Sequence, residues 1–152
     1  MAQSVRFSYT AAEHAPISLM PRLTLTLSYQ DRSVDVVGLL DTGASVNILP
    51  YSLGQAIGAV WDEQTTPVPL TGSLGRLEAR ALVVSASHPQ LMPDAPVRLV
   101  FAWTLAEDVP VAFGQVNFFM EFDVCFFRAQ AQFEVRLKSA GIGRGQPATT
   151  AR

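Results

Sequence analysis

Leu23, Leu25 and Leu27 alternate with Thr24, Thr26 and Ser28. An apolar side chain at every second position lies on one face of an extended chain, whereas a helix would scatter these residues around its axis. The pattern recurs. Ser33 to Leu40 carries β-branched Val34, Val36 and Val37, and residues 76–84, 97–103, 109–113 and 122–128 also read as strands. In 131–137, Phe133, Val135 and Leu137 alternate with Gln132, Glu134 and Arg136, and Val5 to Tyr9 is a candidate first strand. Ten glycines and ten prolines separate these runs. Two short helices are expected. One is Ser52 to Ile57, with Ser52 as N-cap and Gly58 as the stop; the other is Gln115 to Glu121, after Gly114. The expected fold is all-β, a barrel or sandwich-like domain with one or two short helices.

With 152 residues the chain fits one domain. Residues 1–19 read as an N-terminal extension in which 10–18 link the first strand to the body. Residues 20–138 read as the domain, and Ser139 to Arg152, rich in Gly, Ala and Thr, as a flexible tail. Pro89, Pro93 and Pro96 mark 85–96 as an irregular connection. Charged residues make up 16%, against about 25% in ordinary domains, a mild sign of extra buried surface such as a subunit interface. The net charge is −2 without a basic cluster, which argues against a nucleic-acid partner. No apolar run reaches the roughly 20 residues that span a bilayer, and the first residues lack a signal-like apolar run. A cytoplasmic protein without membrane contact is expected. Cys125, the single cysteine, is expected to be a small buried hydrophobe.

The chemistry concentrates at Leu39-Leu40-Asp41-Thr42-Gly43-Ala44-Ser45, a stretch that occurs once. At a tight turn, a glycine beside a carboxylate lets backbone N–H groups approach its oxygens. A threonine hydroxyl there can both donate and accept. Two apolar residues before the aspartate keep the local dielectric low. The stretch resembles the active-site loop of aspartic peptidases. That chemistry needs two carboxylates sharing one proton, because like charges about 3 Å apart cannot both ionise. A chain with one copy must take its second carboxylate from a partner.

Further segments extend the resemblance. Ala112-Phe113-Gly114 is an apolar-apolar-Gly strand end followed by a short helix and a final apolar strand, at a separation from Asp41 close to that of retroviral-type enzymes. Between them, Thr65 to Thr71, a tip at Gly72-Ser73-Leu74-Gly75, and Arg76 to Val84 resemble the flap that covers substrate. Over residues 20–137 the chain resembles a single-domain, retropepsin-like aspartic peptidase. The resemblance implies a closed β-barrel that forms a homodimer, with Asp41 as the catalytic carboxylate. Thr42 would bond the opposite loop, Gly43 would stand beside the carboxylate, and Ala44 would replace a hydroxyl residue of pepsin-like enzymes. Losing that donor predicts a higher working pH than pepsin's. Gly72 to Gly75, Leu39 and Ala112 would contact a peptide substrate, and Phe113 and Gly114 would support the loop. No metal or organic cofactor is implied, since a lytic water suffices.

The chain departs from viral members at Ser45 and Gln115. Those positions usually hold an acid and an arginine that pair, so the dimer contacts must differ. Ala112, smaller than the usual branched residue, would widen a primary substrate pocket. The alternative reading is a non-catalytic dimerisation or peptide-binding module on the same fold. His14 and His88 have no metal-like spacing and read as solvent-facing loop residues. Trp61, Trp103 and the phenylalanines of 118–127 read as core or interface aromatics. Asp123 reads as exposed by alternation.

Overall fold

The computed structural model describes residues 3–12 and 15–139. Arg22–Tyr29 (β4) and Arg32–Leu40 (β5) form an antiparallel hairpin whose turn places Gln30 at φ 54. Leu23, Leu25 and Leu27 all point inward and are buried, as their spacing predicts. Four more strands close the barrel: Asn47–Leu49 (β6), Ala79–Ser87 (β7), Val97–Thr104 (β8) and Ala112–Phe113 (β9). The strand order is β4-β5-β9-β6-β8-β7, and β7 pairs back onto β4. The fold is therefore all-β, and the described residues add two short α-helices, Tyr51–Ala56 (α1) and Phe118–Glu121 (α2). Its core is aromatic and aliphatic: Phe101, Trp103, Phe113 and Phe118 are fully buried against Leu82 and Leu99.

A second sheet lies outside the barrel. Phe122–Phe127 (β10) pairs with Gln132–Leu137 (β11), and Val5–Ser8 (β1) adds to the other edge of β11. The N-terminal stretch is thus stitched to the last strand of the same chain. Residues 10–18, expected as a link, instead carry a hairpin of Thr10–Ala12 (β2) with Ala15–Met20 (β3). His14 and the tail from 140 onward fall outside the described residues.

Several local expectations change. Helix α1 starts at Tyr51 after Pro50, whose φ of −68 suits a helix entry, and no side chain caps it. Ser52 is therefore inside the helix rather than its N-cap. Gly58 does stop it, at φ 85 with its N–H on the Gln55 carbonyl. Helix α2 spans only Phe118–Glu121, because Gln115 and Val116 bond to the 44–45 segment instead. Cys125 is exposed, not buried. It lies on the outer face of β10 with Asp123, which pairs with Arg136 at 3.0 Å, while Phe122 turns inward.

His88 is half-buried rather than solvent-facing. Its Nδ1 accepts the N–H groups of Gln90 (3.2 Å) and Leu91 (3.3 Å), and its ring stands edge-on to Phe7 with centroids 5.6 Å apart. Burial holds its pKa below the usual 6.5. The turn it organises sends Leu91 and Met92 into the core.

Candidate active site

Strands β5 and β6 are not neighbours in the barrel, although only the Asp41–Val46 loop separates them in sequence. Strand β9 lies between them, parallel to β5 (Leu39 opposite Ala112, Leu40 opposite Phe113) and antiparallel to β6 (Ile48 opposite Ala112). The loop therefore crosses the end of β9. Its start is fixed by the Asp41 N–H on the Phe113 carbonyl, 3.0 Å, and its turn by the Ala44 N–H on the Asp41 carbonyl, 3.1 Å. The Gly43 N–H donates to Asp41 Oδ1 at 2.9 Å. Asp41 is half-buried, while Thr42 and Gly43 are exposed.

The chain that leaves β9 runs back along this loop. Gln115 N–H donates to the Ala44 carbonyl (2.9 Å), Val116 N–H to that of Ser45 (3.0 Å), and Asn47 N–H to that of Val116 (2.9 Å). The Gln115 side chain adds a bond from Nε2 to the Thr42 carbonyl, 2.8 Å. Gly114 sits at the tightest point. A Cβ there would meet the Val46 carbonyl oxygen at 2.4 Å and that of Ala44 at 2.7 Å. Only glycine allows the two backbones to approach this closely.

Two asparagines lock the crossing from below. Asn47 is fully buried. Its Oδ1 accepts the Gly114 N–H at 2.8 Å, and its Nδ2 donates to the Val100 carbonyl at 2.9 Å and to Asn117 Oδ1 at 3.1 Å. Asn117 Oδ1 also accepts the Val100 N–H (3.0 Å), and its Nδ2 donates to the Arg98 carbonyl (3.1 Å). Every polar atom of this small network has a partner, the condition for burying it.

Beside the loop lies an apolar patch of Ile48, Val109 and Ala112, against which Val46, Leu74, Leu77 and Ala106 pack. Leu74 and Leu77 come from the segment expected as a flap. Its root is a short pairing: Val68 N–H to the Ala79 carbonyl and Ala81 N–H to that of Thr66, both 2.9 Å. Arg80 pins this root by stacking over Trp61, 4.4 Å from the ring centroid, and donating to the Trp61 carbonyl at 2.8 Å. Beyond it the expected hairpin does not continue. Pro67 and Pro69 lack the N–H that a ladder needs, and Gly72–Leu74 form a 3₁₀ turn with Gly72 at φ 66.

The chain is similar to the crystal structure of a retropepsin-like aspartic protease from Rickettsia conorii, with a TM-score of 0.61 over 90% of this chain and 94% of that one, at 10% identity. The fold is retropepsin-like. A second similar structure, EIAV protease complexed with the inhibitor HBY-793, gives a TM-score of 0.46 at 16% identity, over 65% of this chain and 85% of that one. Neither a protein-family model nor a curated protein matches the sequence.

Within this retropepsin-like fold, the candidate residues gather into two groups. Asp41 to Ala44, Leu39, Phe113 and Gly114 meet at the crossing, while Leu74 meets Ala112 at the apolar patch beside it. Gly72, Ser73 and Gly75 are exposed on the turn of the segment expected as a flap. Sequence reasoning missed Asn47 and Asn117. The available signal was a lone polar residue inside the apolar run Val46-Asn47-Ile48-Leu49. Among the described residues, no three of His, Cys, Asp and Glu converge as a metal site would require, and no helix is long and apolar enough to cross a membrane.

Proposed function

We propose that this chain is an aspartic endopeptidase that works as a homodimer, each subunit contributing Asp41. The observation that carries the reading is the crossing itself: one Asp-Thr-Gly loop laid over the end of β9, with its Thr42-Gly43 face open. A second identical loop docked on that face would bring two carboxylates together. One would stay protonated and polarise a peptide carbonyl, while the ionised one would draw the proton from a water that attacks it. Thr42 would bond across the interface, and the Gly43 N–H already steadies one oxygen of Asp41.

The substrate would be an extended peptide lying between the loop and the flap, bonded along its main chain as an added strand is. Its side chain nearest the scissile bond would enter the patch of Ile48, Val109 and Ala112. Residues 20–138 would carry the peptidase domain, with 1–19 as an extension held through β1. A cytoplasmic setting, which keeps thiols reduced, would suit the exposed Cys125. Ala44 offers no side-chain donor to the carboxylate, so the working pH would lie above pepsin's.

The test compares cleavage of a peptide library by the wild type and Asp41→Asn, alongside sedimentation equilibrium with a statine-type inhibitor. Loss of turnover in the variant, with one inhibitor per two chains, is expected. Equal cleavage by the two proteins, or full activity in a strict monomer, overturns the proposal. Tight inhibitor binding without turnover would favour the binding-module reading.

A further inference from the structure

We propose that Gln115 is a positioning residue that acts on Asp41 through the peptide unit between Thr42 and Gly43. The inference rests on the aspartic-peptidase reading above. The Gln115 Nε2 donates to the Thr42 carbonyl at 2.8 Å, and the N–H of the same peptide, that of Gly43, donates to Asp41 Oδ1 at 2.9 Å. A peptide unit is planar and rigid, so holding its carbonyl fixes the direction of its N–H. Hydrogen bonds in series also polarise one another. The Gln115 amide therefore both aims and strengthens the donor that stabilises ionised Asp41.

The position of Gln115 leaves its side chain free for this task. Its main-chain N–H is already bonded to the Ala44 carbonyl, so the backbone tie exists whatever the side chain. The second bond needs a donor on a side chain of this reach. Within 36–61 the only charged residue is Asp41, and 109–120 has none. On the strand beside β5, Arg22 donates to the Thr10 carbonyl. On the flap, Arg76 and Glu78 are exposed and Arg80 is held on Trp61. The Asp41 carboxylate accepts the N–H of the Thr42–Gly43 peptide unit, and Gln115 holds the carbonyl end of that same unit.

The test uses Gln115→Met, similar in shape but without a donor, and Gln115→Arg, which restores one. A bond to the ionised form lowers a carboxyl pKa, so losing its support raises it. In Gln115→Met the acidic limb of the kcat/KM profile should move to higher pH, with kcat reduced about threefold and KM nearly unchanged. Gln115→Arg should return the limb to the wild-type position or below. An unmoved limb in an active, folded Gln115→Met protein overturns the proposal. If the wild type itself cleaves nothing, the peptidase reading fails instead. The relay is then read by amide exchange at Gly43, where faster exchange in Gln115→Met supports it and equal exchange overturns it.

Discussion

Gly114 lies so close to Val46 that an added methyl group would stand 2.4 Å from the Val46 carbonyl oxygen. Neither side can yield cheaply. The Gly114 N–H is bonded to Asn47 Oδ1, and the next two amides are bonded to the Ala44 and Ser45 carbonyls. Gly114→Ala should therefore force the loop and β9 apart, costing about 3 kcal/mol of stability by overpacking. Activity should fall further than stability, because the displaced loop carries Asp41. Urea unfolding checks the first part; a variant as stable as the wild type would show that the two backbones are not held together.

Asn47 is expected to be as costly to replace as a large core residue. Leucine has a similar volume but neither donor nor acceptor. In Asn47→Leu the Gly114 N–H loses its partner, and Val100 and Asn117 lose a donor. Unpaired buried groups cost about 1–3 kcal/mol each, so a loss of roughly 2–4 kcal/mol is expected. Asn47→Asp keeps the acceptor for Gly114 but buries a charge, and it should recover stability as the pH falls and the carboxyl protonates. Equilibrium unfolding of both variants at neutral and acid pH decides the matter. An Asn47→Leu protein within about 0.5 kcal/mol of the wild type would mean the network supports nothing.

Among the described residues, the tip of the segment expected as a flap rests on the barrel through apolar contact. Leu74 and Leu77 are half-buried on Ile48, Val109 and Ala112, whereas the root is fixed by main-chain bonds and the Arg80–Trp61 stack. Replacing both leucines by serine should free the tip and leave the root in place. Amide exchange across 70–78 should accelerate, while exchange in β4 and β5 stays as in the wild type. Equal protection of the tip in both proteins would show that something else holds it.

Much of the barrel was legible in the sequence because strand alternation is a local property. Leu23, Leu25 and Leu27 announce which face of β4 is buried, and Asp123 announces the outer face of β10. That same alternation should have exposed Cys125, since it shares the face of Asp123; its residue type argued the other way and lost. The Asp41 loop and Gly114 could be picked out by type and order. What could not be read was the contact between them. The insertion of β9 between β5 and β6 joins residues far apart in sequence, and no local signal encodes such a pairing. The Asn47–Asn117 network is likewise invisible until the crossing is formed. The turn glycines of 72–75 suggest a hairpin through 65–84, but Pro67 and Pro69 lack the N–H to extend the ladder beyond its root.

His88 should make the 88–96 turn sensitive to acid. Its Nδ1 accepts two main-chain N–H groups, from Gln90 and Leu91, and can do so only while unprotonated. Burial lowers its pKa below 6.5, so the folded state binds the proton less readily than the unfolded chain. The stabilising contribution is complete above the unfolded value of about 6.5. It is lost as the pH falls through the lower folded value. Asparagine can accept the same two bonds through Oδ1, as it does in turns of its own, and it does not titrate. The measurement is the melting temperature of the wild type and of His88→Asn between pH 7 and pH 5. The wild type should lose more thermal stability over that interval than His88→Asn. Parallel curves for the two proteins would mean that the turn keeps its bonds when His88 takes up a proton.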